Sequence, residues 1–217
     1  MKIFSDIVSW VFLPLFMPVY GLLLAMYVPS NEDYILNEDS LYFLKDTAKQ
    51  AILYMFFIFS VLAPGLSFLF LHKKKIISTI DMENQRERNI PMILMLSYCL
   101  VLYFLFIIKA QDNILPKYVY ALPLSGVFVT VTYTFINRWI KISLHAGGAG
   151  ILTGFLLAYA SAQVEFETWI LIVAFLASGL TLTARLYLKK HTQLEVYTGW
   201  SLAVLLTFLV NTLYPIS

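Results

Sequence analysis

The chain has 217 residues, 60% of them hydrophobic and 13% charged, with a mean hydropathy of +0.77. Ordinary soluble domains carry about 25% charged residues, so this composition excludes a soluble globular domain and points to an integral membrane protein. The net charge of +2 is too small for a nucleic-acid binder, and the basic residues gather beside apolar segments instead of forming a basic and aromatic surface. The single cysteine, Cys99, excludes an internal disulfide framework and a multi-cysteine metal site.

Crossing the hydrocarbon takes about 20 apolar residues, and seven stretches qualify, roughly 7–28, 50–71, 91–108, 118–136, 144–162, 169–187 and 196–213. They predict an all-α bundle of six or seven transmembrane helices forming one membrane domain, with no internal repeat. Pro14 and Pro18 predict a kink or a partly re-entrant first segment. That segment is longer than a signal-peptide core and lacks a small-x-small cleavage site, so it reads as retained. Residues 29–49, with Glu32, Asp33, Glu38, Asp39 and Asp46, read as an acidic loop carrying a short interfacial helix near 41–44. Lys73, Lys74 and Lys75, like Lys189 and Lys190, read as snorkelling anchors, and His72 as an interfacial residue.

Polar clusters mark the ends of three spans. The first, DMENQRERNIP at 81–91, holds Arg86 and Arg88, which alternate with Glu83 and Glu87 and also fit a solvated, salt-bridged loop. The second, ISLHAGGAG at 142–150, sets Ser143 and His145 before Gly147 and Gly148 at the start of an apolar helix. Backbone amides at such a start close around an anion, and the helix dipole favours negative charge there. The third, ARLYLKKHTQLE at 184–195, spaces Arg185, His191 and Glu195 as R-x5-H-x3-E. A carboxylate one turn after a histidine holds it in one tautomer and keeps it basic, while an arginine fork grips phosphate. That equipment suits phosphoryl transfer.

If every stretch spans, the connections after the second, fourth and sixth share one face, and all three clusters lie on it. That face carries Lys2, Lys73, Lys74, Lys75, Arg86, Arg88, Arg138, Lys141, Arg185, Lys189 and Lys190, against Lys45, Lys49, Lys109 and Lys117 on the other. Without Arg86, Arg88 and Arg185 the balance is still eight against four. The positive-inside rule then puts the clusters on the cytoplasmic face of a cytoplasmic (inner) membrane.

These clusters together resemble the type 2 phosphatidic acid phosphatase (PAP2) superfamily of membrane lipid phosphatases, whose motifs are K-x6-R-P, P-S-G-H and S-R-x5-H-x3-D. The third motif has Ala184 for Ser and Glu195 for Asp; the second has Ile142 for Pro and Leu144 for Gly; the first survives loosely as RERNIP. Residues 143–217 carry most of the likeness, with two spans between the second and third motifs as in the family. Two further helices separate the first motif from the second, where the family has a shared loop.

The resemblance implies that His191 attacks phosphorus and forms a phosphohistidine while Glu195 orients it. His145 would protonate the leaving alkoxide and later activate water. Arg185 would hold the phosphoryl oxygens, helped by Arg88 or Arg86, with Ser143 and the amides near Ala146 and Gly147 completing an anion cradle. The scheme needs no metal or other cofactor, and its partners are the bilayer and a lipid phosphomonoester or pyrophosphate. Glu195 lengthens the orienting arm and Leu144 removes a glycine beside the acid, which leaves a non-enzymatic relative that binds or moves phosphorylated lipids as the alternative. Metal-dependent transferases, which need paired Asp-rich motifs, and P-loop, HExxH or GxSxG enzymes fit worse.

Overall fold

The computed structural model describes residues 1–32, 40–82, 84–109 and 115–215. All seven stretches are helices long and apolar enough to cross a bilayer: Lys2–Tyr27, Asp46–Lys73, Gln85–Lys109, Lys117–Ile136, Leu144–Ser161, Thr168–Tyr187 and Gln193–Leu213. The chain is a multi-pass membrane protein built as an all-α bundle. Several spans start a turn or more before the apolar run does. Asp46 illustrates the cause, because a carboxylate in a first helical turn is favoured by the helix dipole and extends the helix past the hydrocarbon.

Proline chemistry shapes the first two spans. The residue before a proline is pushed out of the helical region, and Leu13 (φ −60°, ψ 138°) accordingly breaks the first span at Pro14. The span becomes α1 (Lys2–Val11), a 3-10 turn (Pro14–Phe16) and α2 (Met17–Tyr27), with Pro18 tolerated in the first turn of α2. In the second span, α3 (Asp46–Phe56) and α4 (Ala63–Lys73) are joined by a π-helical turn at Phe57–Leu62. Pro64, two residues past its end, has no N–H to continue an α ladder, which accounts for the widened turn. A 3-10 turn, Gln85–Arg88, leads into α5 (Asn89–Lys109), and α6 (Lys117–Ile136) follows.

The core is built on α7 (Leu144–Ser161), the most enclosed span, which packs against α2, α8 (Thr168–Tyr187) and α9 (Gln193–Leu213). Small residues allow this. A Cβ on Gly150 would lie 2.6 Å from the Trp200 carbonyl oxygen and 2.7 Å from the Ala203 Cβ. Lipid offers little hydrophobic drive for helices to associate, so close backbone approach through glycine supplies the dispersion contact instead. Large side chains such as Leu66, Phe104, Phe135 and Leu176 stay exposed, as lipid-facing residues do.

Opposite the clusters, the chain forms an antiparallel two-stranded ribbon from β1 (Ser30–Glu32) and β2 (Gln163–Phe166), with Ser30 opposite Phe166. The expected acidic loop is thus partly a strand, and the expected helix near 41–44 is a 3-10 turn at Leu41–Phe43. Asp33, Glu38 and Asp39 lie outside the described residues. The hydroxyl of Tyr159 lies 2.9 Å from both Ser30 Oγ and Ser40 Oγ and accepts from the Leu41 amide at 3.0 Å, pinning this end to α7.

At the other end, the three cluster-bearing connections interlock. Asn137 donates to the Gln85 carbonyl at 3.1 Å and Gln85 to the Asn137 carbonyl. Lys141 donates to the Lys190 carbonyl at 3.1 Å, and the Ser143 amide to the Glu195 carbonyl at 3.1 Å.

Candidate functional site

The connection from α8 to α9 holds His191 with its side chain 3% exposed. Its Nδ1 lies 2.9 Å from Glu195 Oε2 and 3.2 Å from the Lys141 carbonyl oxygen. Both neighbours are acceptors, so Nδ1 carries the proton and Nε2 the lone pair. Burial pushes the imidazole down to about 4; the charges of Arg88, Arg185 and Lys141 act in the same direction, and the Glu195 hydrogen bond opposes them. His191 is therefore neutral near pH 7, with Nε2 as its basic and nucleophilic atom.

Glu195 serves two ends with one oxygen. Oε2 also accepts from the Thr192 amide at 3.1 Å, while Thr192 Oγ1 accepts from the Glu195 amide at 3.4 Å, a reciprocal capping box at the start of α9. Glu195 is thus both an imidazole partner and a helix-end carboxylate.

His145 and Arg185 converge from α7 and α8. Both are buried, at 7% and 3% exposure, and both retain a buried nitrogen without a hydrogen-bond partner: His145 Nε2 and Arg185 Nε. Arg185 Nη2 is 3.5 Å from Asp81 Oδ2. Asp6 lies within electrostatic range of the same guanidinium, and the charges of Arg185 and Asp81 and the ring of His191 act on His145.

Arg88 is buried more completely, at 1% exposure, but its donors go to backbone: Nε to the Met82 carbonyl at 2.9 Å and Nη1 to the Ile142 carbonyl at 2.6 Å. It braces the first cluster against the second while adding positive charge. Arg86 points to solvent, exposed and off the cavity wall. Ser143 is the N-cap of α7, its Oγ accepting from the Ala146 amide at 3.4 Å, and the Gly147 amide donates to the Ser143 carbonyl at 3.0 Å. The amides expected as an anion cradle are thus occupied within the first turn. Gly147 also makes room for Tyr133, whose ring comes to 2.6 Å from where a Cβ would stand.

A cavity of about 550 Å³ opens beside these residues. Its polar end is formed by Asp6, Ser9, Asp81, His145, Arg185 and Lys190, and the rest of its wall is mostly apolar, including Phe56, Met95, Leu102, Leu122 and Ile151. Along α5 the wall runs from Pro91 to Leu102, roughly 16 Å of helical rise and so about half the hydrocarbon thickness. The cavity thus joins a polar end to a deep, largely apolar slot. His191, Glu195, Arg88 and Lys141 are not part of this wall, and the charges of Arg88, Arg185 and Lys141 reach His191.

Five members of the site were not singled out from the sequence as site residues: Asp81, Asp6, Ser9, Lys141 and Lys190, the last read there as a snorkelling anchor. Burial lowers the Lys141 ammonium from its usual range, with Arg88 and Arg185 adding to the effect and Glu195 and Asp81 opposing it. Asp6 had a readable signal, since it lies with Ser5 and Ser9 on a polar stripe of an otherwise apolar helix. Among the described residues no three His, Cys, Asp or Glu side chains gather as a metal-binding group. Comparison with protein-family models finds no match, and neither do comparisons with curated proteins or with solved structures.

Proposed function

We propose that this chain is a metal-independent phosphatase of membrane lipids, hydrolysing a phosphomonoester or diphosphate through a phosphohistidine at His191, in the manner of the PAP2 superfamily it resembles. The observation that carries the reading is the pair of acceptors on His191 Nδ1, Glu195 Oε2 and the Lys141 carbonyl, which leaves a neutral imidazole with its lone pair on Nε2. Beside it stand the buried guanidinium groups of Arg185 and Arg88 and the lysine ammonium of Lys141, suited to charge spread over phosphoryl oxygens.

In the proposed sequence His145 is protonated in the substrate complex; Nε2 attacks phosphorus, the P–O bond to the lipid breaks, and the leaving oxygen takes that proton. Neutral His145 then takes a proton from water, whose oxygen attacks the phosphohistidine and breaks the P–N bond, releasing phosphate and leaving His191 neutral and His145 protonated as at the start. His191 does not line the cavity, so the phosphate has to move beyond the cavity's polar end before attack. The excess of basic residues at this end supports a cytoplasmic-facing site in an inner membrane. Phosphate release from a panel of lipid phosphates in vesicles, with His191→Ala as control, tests the reading.

A second reading is favoured by the same placement. With Asp81 on Arg185 and His191 off the cavity wall, a protein that binds or moves phosphorylated lipids without turnover would bind the same panel and release no phosphate.

A further inference from the structure

Arg185 is buried at 3% exposure and Asp81 is 38% exposed; the two side chains meet at 3.5 Å on the wall of the cavity's polar end. The guanidinium is not saturated, since its Nε is buried and has no partner. Asp81 belongs to a segment held in place by backbone: Met82, in the left-handed region at φ 50°, gives its carbonyl to Arg88 at 2.9 Å. Four cations, Arg88, Lys141, Arg185 and Lys190, face three carboxylates, Asp6, Asp81 and Glu195, while His191 is neutral. A ligand anion thus arrives at a cluster whose positive charge is already largely answered.

We infer that Asp81 is a gating residue: its carboxylate is a resident anion on Arg185 that a ligand phosphate has to displace. This rests on the phosphate-site reading above and adds to it an exchange of one anion for another. A phosphomonoester carries about −1.5 to −2 at neutral pH, so its exchange for one carboxylate charge adds attraction in a partly buried setting. The displaced Asp81 side chain, already more than a third exposed, turns to water without leaving a buried charge behind. The open Nε of Arg185 supplies a donor that a phosphate oxygen can take and Asp81 leaves unused.

The test uses the full chain in detergent micelles and two probes with one tail, dodecyl phosphate and dodecyl methyl phosphate, titrated calorimetrically. Asp81→Asn binds both probes about tenfold more tightly than wild type, and Asp81→Glu keeps the wild-type affinities; Asp81→Ser repeats the neutral case with a second side chain. Unchanged affinity for both probes in both neutral variants overturns the inference even where both probes bind. Equal binding of dodecyl phosphate by wild type and Arg185→Ala overturns the phosphate-site reading, and the inference with it.

Discussion

His191 and Glu195 meet at 2.9 Å across the start of α9, and the carboxylate oxygen that orients the imidazole also caps the helix through Thr192. The two duties separate by substitution. Glu195→Gln keeps an acceptor for both donors and loses the charge, so the rate should fall by about 10- to 100-fold, as for other groups that orient a reacting histidine, with little change in thermal unfolding. Glu195→Ala should lose the rate and also about 1 kcal/mol of stability from the missing cap. Equal activity in Glu195→Gln and wild type contradicts the orienting role.

The depressed protonation of His191 has a direction that can be followed in stability. A histidine in the unfolded chain takes its proton near pH 6.5, whereas folded His191 takes it only near 4. Between those values the unfolded state binds more protons, so this contribution is intact above about pH 6.5 and is lost as pH falls toward about 4. Thermal unfolding in detergent should decline across that window, and less steeply in His191→Asn. An identical decline in the variant contradicts the assignment.

Arg88 and Arg185 should fail differently. Arg88→Ala strips two buried carbonyls, those of Met82 and Ile142, of their donor; an unpaired buried group costs about 1–3 kcal/mol, so unfolding should shift markedly. Arg185→Ala should unfold near the wild-type temperature and lose about 2–4 kcal/mol of transition-state stabilisation, a drop of roughly 10²–10³-fold in rate. Measured unfolding and phosphate release on both variants check the contrast.

Gly150 is the tightest test of the α7–α9 packing. Its missing Cβ faces the Trp200 carbonyl at 2.6 Å and the Ala203 Cβ at 2.7 Å, and both are backbone or backbone-near atoms that cannot turn away. Gly150→Leu should fail to give a monodisperse protein on gel filtration. The same substitution at Gly65, where a Cβ meets nothing within 4 Å, should be tolerated.

What was legible in the chain was what local chemistry decides. Seven apolar runs, the break at Pro14 and the His191–Glu195 pair one turn apart all follow from neighbours in sequence. The π-helical turn before Pro64 and the ribbon joining Ser30–Glu32 to Gln163–Phe166 did not, because three- and four-residue strands have no periodicity of their own and their pairing crosses more than 130 residues. The same holds for Asp81, paired with Arg185 across 104 residues. Ser143 and Gly147 read as an anion cradle because a glycine-rich helix start has the right form for one; their hydrogen bonds instead close the first turn of α7. Arg88 was legible as a cluster member, but its use as a brace between Met82 and Ile142 is a tertiary fact.

The most direct test of the central claim is covalent trapping. Incubated briefly with a radiolabelled lipid phosphate and quenched in alkali, the wild-type protein should carry an acid-labile, alkali-stable label, His145→Asn should accumulate it, and His191→Ala should carry none. Label persisting on His191→Ala, or wild-type protein that releases phosphate without ever becoming labelled, would contradict the account.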